Sequence, residues 1–144
     1  MSYSVDVNVL LYASDQSSPM HAAAARFIDA RATDPDLFYL AWTTVMGYLR
    51  MATHPRIFAH PLSPTEALGN VEALLSLSRV RVLSEGEGFL QVYREVTGAF
   101  PVRGNLVPDA HLAALLRQHG VQRLYTAEAD FRKFAFLEVR DPFA

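Results

Sequence analysis

Tyr3-Ser4-Val5-Asp6-Val7-Asn8-Val9-Leu10-Leu11-Tyr12 places a single carboxylate inside an otherwise apolar, β-branched run. Apolar runs of this kind form strands of a parallel sheet buried on both faces. The flanks divide it: Ser2 to Val5 predicts a buried strand and Val9 to Ala13 a first helical turn, with Asp6 at the junction. In open α/β sheets the carboxyl ends of the strands form the edge where ligands bind. Asp6 or Asn8 also has an ordinary role open to it, because both residue types cap helix starts by accepting hydrogen bonds from the first N–H groups.

Downstream, strand and helix signals alternate. Pro19 and His21 to Arg31 predict a helix with proline in its first turn, stopped by Asp34-Pro35-Asp36. Leu37 to Leu40 predicts a second buried strand, after which Thr43 or Thr44 is placed to cap a helix carrying Val45, Tyr48, Leu49 and Ala52 on one side. Thr53-His54-Pro55-Arg56 breaks it. Ser63-Pro64-Thr65-Glu66 combines an N-cap, proline at the first helical position and a capping-box glutamate, predicting a helix to about Ser78. Val80 to Leu83 suits a third strand and Gly88 to Gly98 a helix. Asn105, as cap, with Pro108 in the first turn and His119-Gly120 as a stop, delimits a further helix. Val121 to Tyr125 then reads as a strand, Asp130 to Phe134 as a short helix, and Leu137 to Val139 as a final edge strand. The alternation predicts βαβ units: a three-layer α/β/α domain spanning residues 1–144, with a mostly parallel sheet of four to five strands.

Composition narrows the chemistry. The absence of cysteine excludes a disulfide framework and a thiolate metal site. Neither a signal-like N-terminus nor a run of 18 apolar residues occurs, which predicts a soluble, cytoplasmic protein without a membrane partner. The net charge of −2 argues against a generally basic nucleic-acid binder but leaves room for a local basic groove. All the basic residues except Lys133 are arginine, the side chain suited to bidentate phosphate contacts, although GC-rich coding produces the same bias.

In a parallel sheet, residues just after the strands share one edge. Asp6 follows the first strand, Glu128 and Asp130 follow Tyr125, and Asp109 lies in the first turn of the preceding helix, where the helix dipole favours negative charge. Each acid alone suits a cap, a turn or a solvated surface. Together, uncompensated, they would raise one another's pKa values. A divalent cation removes that conflict, and oxygen donors without Cys or an i, i+4 His pair point to Mg²⁺ or Mn²⁺ rather than zinc.

Four stretches resemble a known family: Val5 to Ala13, Thr53 to Phe58, Asn105 to His111 and Thr126 to Phe131. In this order they resemble PIN-domain ribonucleases and, more narrowly, the VapC toxins of type II toxin–antitoxin systems. The resemblance implies a Mg²⁺- or Mn²⁺-dependent endoribonuclease cutting tRNA or ribosomal RNA, a cognate antitoxin protein that blocks it, and a homodimer. It implies Asp6 and Asp109 as metal ligands, Asp130 and Glu128 as further catalytic acids, and Thr126 and Asn8 as groups supporting them from behind. Glu128 stands where the family more often has aspartate. Most PIN domains also carry a glutamate in the helix after the second strand, whereas Leu40 to Arg50 contains no carboxylate; a subset of VapC-like sequences shares the Gly-aromatic-Leu-Arg seen here.

The chemistry so implied is metal-assisted phosphodiester hydrolysis, with an ionised Asp130 or Glu128 accepting a proton from water. Arg50, Arg56 and Arg103 are candidates to grip RNA phosphates. The faces around Tyr39, Trp42 and Tyr48 are candidates for the antitoxin groove, or else core. Aspartyl-phosphate phosphohydrolases also begin with Asp after the first strand, but they use Asp-x-Asp and this chain has Asn8 at the second position. The missing helix glutamate keeps one alternative open: a weak or inactive PIN-like module that binds RNA or a partner without cutting.

Overall fold

A computed structural model describes residues 1–144. Five strands form one sheet: β1 Ser2–Val5, β2 Leu37–Ala41, β3 Val80–Leu83, β4 Arg123–Tyr125 and β5 Glu138–Arg140. All neighbours are parallel, in the order β3-β2-β1-β4-β5. The chain therefore winds outward from β1 to β3, then returns to the other side of β1 for β4 and β5. Order reversal of this kind leaves a crevice beyond the carboxyl ends of β1 and β4, and Asp6 stands at its mouth.

The helices are α1 Val7–Ser14, α2 His21–Asp29, α3 Trp42–Ala52, α4 Pro64–Leu75, α5 Phe89–Val96 and α6 Leu106–Gln118. Strand side chains alternate between two cores, as the pleat requires. Tyr3, Val5, Phe38, Leu40 and Val80 pack with Val9, Leu10, Val45 and Tyr48 of α1 and α3. Ala41, Leu83 and Leu124 pack on the other face with Leu112, Ala113, Leu115 and Leu116 of α6. Ser4, fully buried in the central strand, points away from the Tyr3 and Val5 side and satisfies its hydroxyl on the Tyr39 carbonyl at 2.6 Å.

Local signals worked where a side chain could reach its backbone target. The Ser63/Glu66 capping box forms in both directions, at 3.0 and 3.1 Å. Three other helix starts differ from expectation. Helix α3 begins directly at Trp42 behind Ala41, so Thr43 and Thr44 lie inside its first turn and cap nothing. Asn105 already has helical φ and ψ, which turns its side chain away from the N–H groups it would cap; the turn at Gly104, with φ of 59°, leads into α6 instead. Pro19 lies ahead of α2, in the turn before Met20. No helix is long and apolar enough to cross a membrane.

Candidate active site

Asp6 is buried, and both of its carboxylate oxygens are engaged. Oδ1 accepts the Asn8 backbone N–H at 2.7 Å, which is the N-cap of α1. Oδ2 accepts the Thr126 hydroxyl at 2.6 Å, from just beyond β4. The Asp6 backbone N–H in turn donates to the Tyr125 carbonyl at 3.2 Å, fastening the two strand ends together. The N-cap of α1 and the candidate site residue are thus the same residue. Burial raises the Asp6 carboxyl above its ordinary range; the hydrogen bonds from Thr126 and Asn8 pull it back, and the Glu128 charge pushes it up further.

Thr126 is the hinge of this arrangement. Fully buried, it donates to Asp6 while its oxygen accepts the Glu128 backbone N–H at 2.9 Å, so its proton has one destination. Glu128 is positioned from the other side as well, its Oε1 accepting Asn8 Nδ2 at 2.8 Å. The Thr-x-Glu stretch and the Asp-x-Asn stretch are therefore stitched by two side-chain bonds across the β1–β4 seam.

Asp109 lies in the first turn of α6. Its carboxyl is pushed up to about 6, first by burial and then by the charges of Asp6, Asp130 and Glu128. Four acids share one field here. They do not close on a point, since no three His, Asp or Glu side chains are near enough to form a ready ion cage. Of the four, only Asp130 meets a cation within 4 Å: Lys133 Nζ at 3.6 Å, at the solvent surface of the Ala129–Lys133 3-10 turn. The i, i+3 spacing of that pair was the sequence signal for it. Oxygen donors, unrelieved negative charge and an open cage suit a hard divalent cation that keeps several of its waters and takes one or two protein carboxylates.

A family model of the PIN domain matches residues 3–137. Ribonuclease VapC48 of Mycobacterium tuberculosis is 44% identical over 144 residues, covering 100% of this chain and 99% of that one. The chain belongs to the VapC ribonucleases of the PIN-domain family. Two solved structures share its fold. VapC20 of Mycobacterium tuberculosis, described as a sarcin–ricin loop cleaving toxin, superposes with a TM-score of 0.69 at 22% identity, over 96% of this chain and 98% of that one. VapBC2 from Rickettsia felis, bound to a DNA fragment from its promoter, gives 0.69 at 13% identity, over 98% of each chain. The expected family and the α/β/α architecture are thereby established.

The other sequence candidates of this PIN domain are spread around the acids. Arg50 lies in the last turn of α3 and Arg56 in the loop that follows, and one turn before Arg50 the helix brings Gly47 against Val7, the residue after Asp6. Arg103, in the loop entering α6, stays at the edge and is exposed. His111, two residues after Asp109, turns toward α5, where it meets Glu85 at 2.6 Å and the Phe89 ring edge. Tyr39, Trp42 and Tyr48 do not share a groove. Tyr39 packs against the α6 core and Tyr48 is buried in the α1/α3 core on the opposite face, because alternate strand residues point to opposite sides. Trp42 is exposed. The acid-free start of α3 is confirmed.

Proposed function

We propose that this PIN domain is a divalent-metal-dependent endoribonuclease, with Mg²⁺ the resident ion and Mn²⁺ a substitute, and the toxin of a toxin–antitoxin pair. The observation that carries the reading is the Asp109 carboxyl, raised to about 6 beside three other acids at the switch point of a parallel sheet. Asp6 and Asp109 would hold the ion. Bound there, it would supply Lewis acidity toward a phosphate oxygen and lower the pKa of a water. The chain does the rest by fixing its own groups. The Thr126 hydroxyl and Asn8 N–H hold the Asp6 carboxylate in one orientation. Asn8 Nδ2 engages Glu128 Oε1, leaving Oε2 to accept a proton from an attacking water. Asp130, exposed and 3.6 Å from Lys133 Nζ, is the other carboxylate that could take this proton.

The antitoxin is the partner this reading calls for. A groove of about 540 Å³ between α1–α2 and α3–α4, lined by Leu10, Ile28, Val71 and Leu74, offers it an apolar surface. At its floor the Tyr48 hydroxyl meets Ser14 Oγ at 2.7 Å and Asn70 Nδ2 at 3.0 Å.

Purified protein incubated with total tRNA and ribosomal RNA in EDTA, Mg²⁺ or Mn²⁺, beside Asp109→Asn, tests the proposal. Discrete metal-dependent products from the wild type alone are expected. Identical patterns from both proteins in every metal would transfer the weight to a non-cleaving module, the reading that the acid-free α3 favours.

A further inference from the structure

The chain has one tryptophan, Trp42, and it is left 45% exposed. An indole half in water forgoes burial that a core position would provide. It is not a frayed edge of the core, because Thr44, Val45, Tyr48 and Ala52 form the buried face of α3. Its place follows from strand register. Ser4 pairs with Tyr39 across β1 and β2, so Asp6 comes opposite Ala41 and Trp42 is the next residue. With strands about 4.8 Å apart and about 3.4 Å between residues, the Trp42 backbone lies roughly 6 Å from that of Asp6. Met46, one turn further on, is 57% exposed and extends the apolar strip.

We infer that Trp42 is a stacking platform for an unpaired nucleobase of the RNA substrate, next to the nucleotide whose phosphate enters the carboxylate site. The inference rests on the ribonuclease reading. The acids at the edge repel a phosphodiester, and the exposed Arg103 is the guanidinium at that edge, so a contact that does not depend on charge adds to what it supplies. An aromatic face supplies one, and every base has a π-surface to match it. The backbone separation is of the order that divides a nucleotide's base from its phosphate, so both ends of one nucleotide can be satisfied together. The strip could instead be covered by a second copy of the chain, and the test separates the two.

The full chain carrying Asp109→Asn, which leaves RNA uncut, is titrated with fluorescein-labelled hexamers of A and of U, following RNA anisotropy and the fluorescence of the single tryptophan. Saturable quenching by the hexamers, with ribose 5-phosphate leaving the signal unchanged, is expected. Adding Trp42→Ala should weaken hexamer binding by about 5- to 150-fold, the equivalent of the 1–3 kcal/mol of a stacked base, while Trp42→Phe keeps most of the affinity. In the cleaving protein Trp42→Ala should raise KM by a similar factor. Unchanged hexamer affinity in Trp42→Ala overturns the inference while leaving the ribonuclease reading intact. So does a dimer by light scattering that Trp42→Ala converts to monomer with RNA affinity preserved, which assigns the strip to a second copy. Absence of both hexamer binding and wild-type cleavage overturns the two readings together.

Discussion

Asp109→Asn should make the metal-free protein more stable while removing its activity. Ionised Asp109 carries a penalty in the folded state, because burial and the neighbouring charges of Asp6, Asp130 and Glu128 raise its carboxyl from 3.8 to about 6. Each tenfold change in proton affinity is worth about 1.4 kcal/mol, so the full penalty is about 3 kcal/mol. Asp109 retains access to solvent, and screening reduces the figure to about 1–2 kcal/mol. The sign follows from proton counts. Between pH 3.8 and 6 the folded chain binds more protons at this site than the unfolded chain, so stability falls as pH rises through that window and the loss is complete above it. Urea melts in EDTA at pH 7.5 should therefore show the asparagine variant ahead by about 1–2 kcal/mol, or roughly 3–8 °C in Tm for a chain of this size. At pH 4, where folded Asp109 is already neutral, the two should nearly coincide. Adding Mg²⁺ should close the gap at pH 7.5, because the ion stabilises the protein that binds it by about 1.4 kcal/mol at tenfold its dissociation constant. A variant less stable than wild type in EDTA at pH 7.5, or a lead that persists at pH 4, would refute the reasoning and make Asp109 a structural residue.

Thr126→Val keeps the buried volume but leaves Asp6 Oδ2 and the Glu128 N–H without their partner; a loss of about 1–3 kcal/mol in urea melts and a 10- to 100-fold weaker Mg²⁺ response in cleavage are expected. Ser63→Ala removes one half of the α4 capping box, which bonds none of the acids of the site; thermal melts should fall by the equivalent of about 1 kcal/mol, with cleavage rates unchanged.

The fold was largely legible because its signals are local. A β-branched run, the Ser63-Pro64-Thr65-Glu66 box and the His119-Gly120 stop each act within a few residues, and each element they announce is present. What stayed hidden depends on backbone direction. Nothing in Thr43 or Asn105 as residue types shows that α3 would start two or three residues earlier, behind Ala41, or that Asn105 would already be helical. Tyr39 and Tyr48 look like one aromatic surface until strand pleat and helix phase send them to opposite cores. The site was half legible for a related reason. Asp6 and Asp109 could be placed at one edge from topology alone, but not that capping would leave Asp6 free to accept from Thr126 as well, one carboxylate oxygen serving each end of the seam. Arg50 and Arg56 were attractive as guanidinium groups, yet neither forms an ion pair with the acids.

The bond between Thr126 and Asp6 spans 120 residues, from one end of the chain to the other. At roughly 5–20 residues per second, a ribosome that has made Asp6 needs about 6–24 s more to reach Thr126. Throughout that interval β1 has no β4 beside it, Asp6 lacks its second hydrogen-bond donor, and Asp109 and Glu128 have yet to arrive or dock. The seam that orients Asp6 is therefore the last part of the candidate site to be assembled during synthesis, and it exists only once Thr126 has been made and β4 has docked.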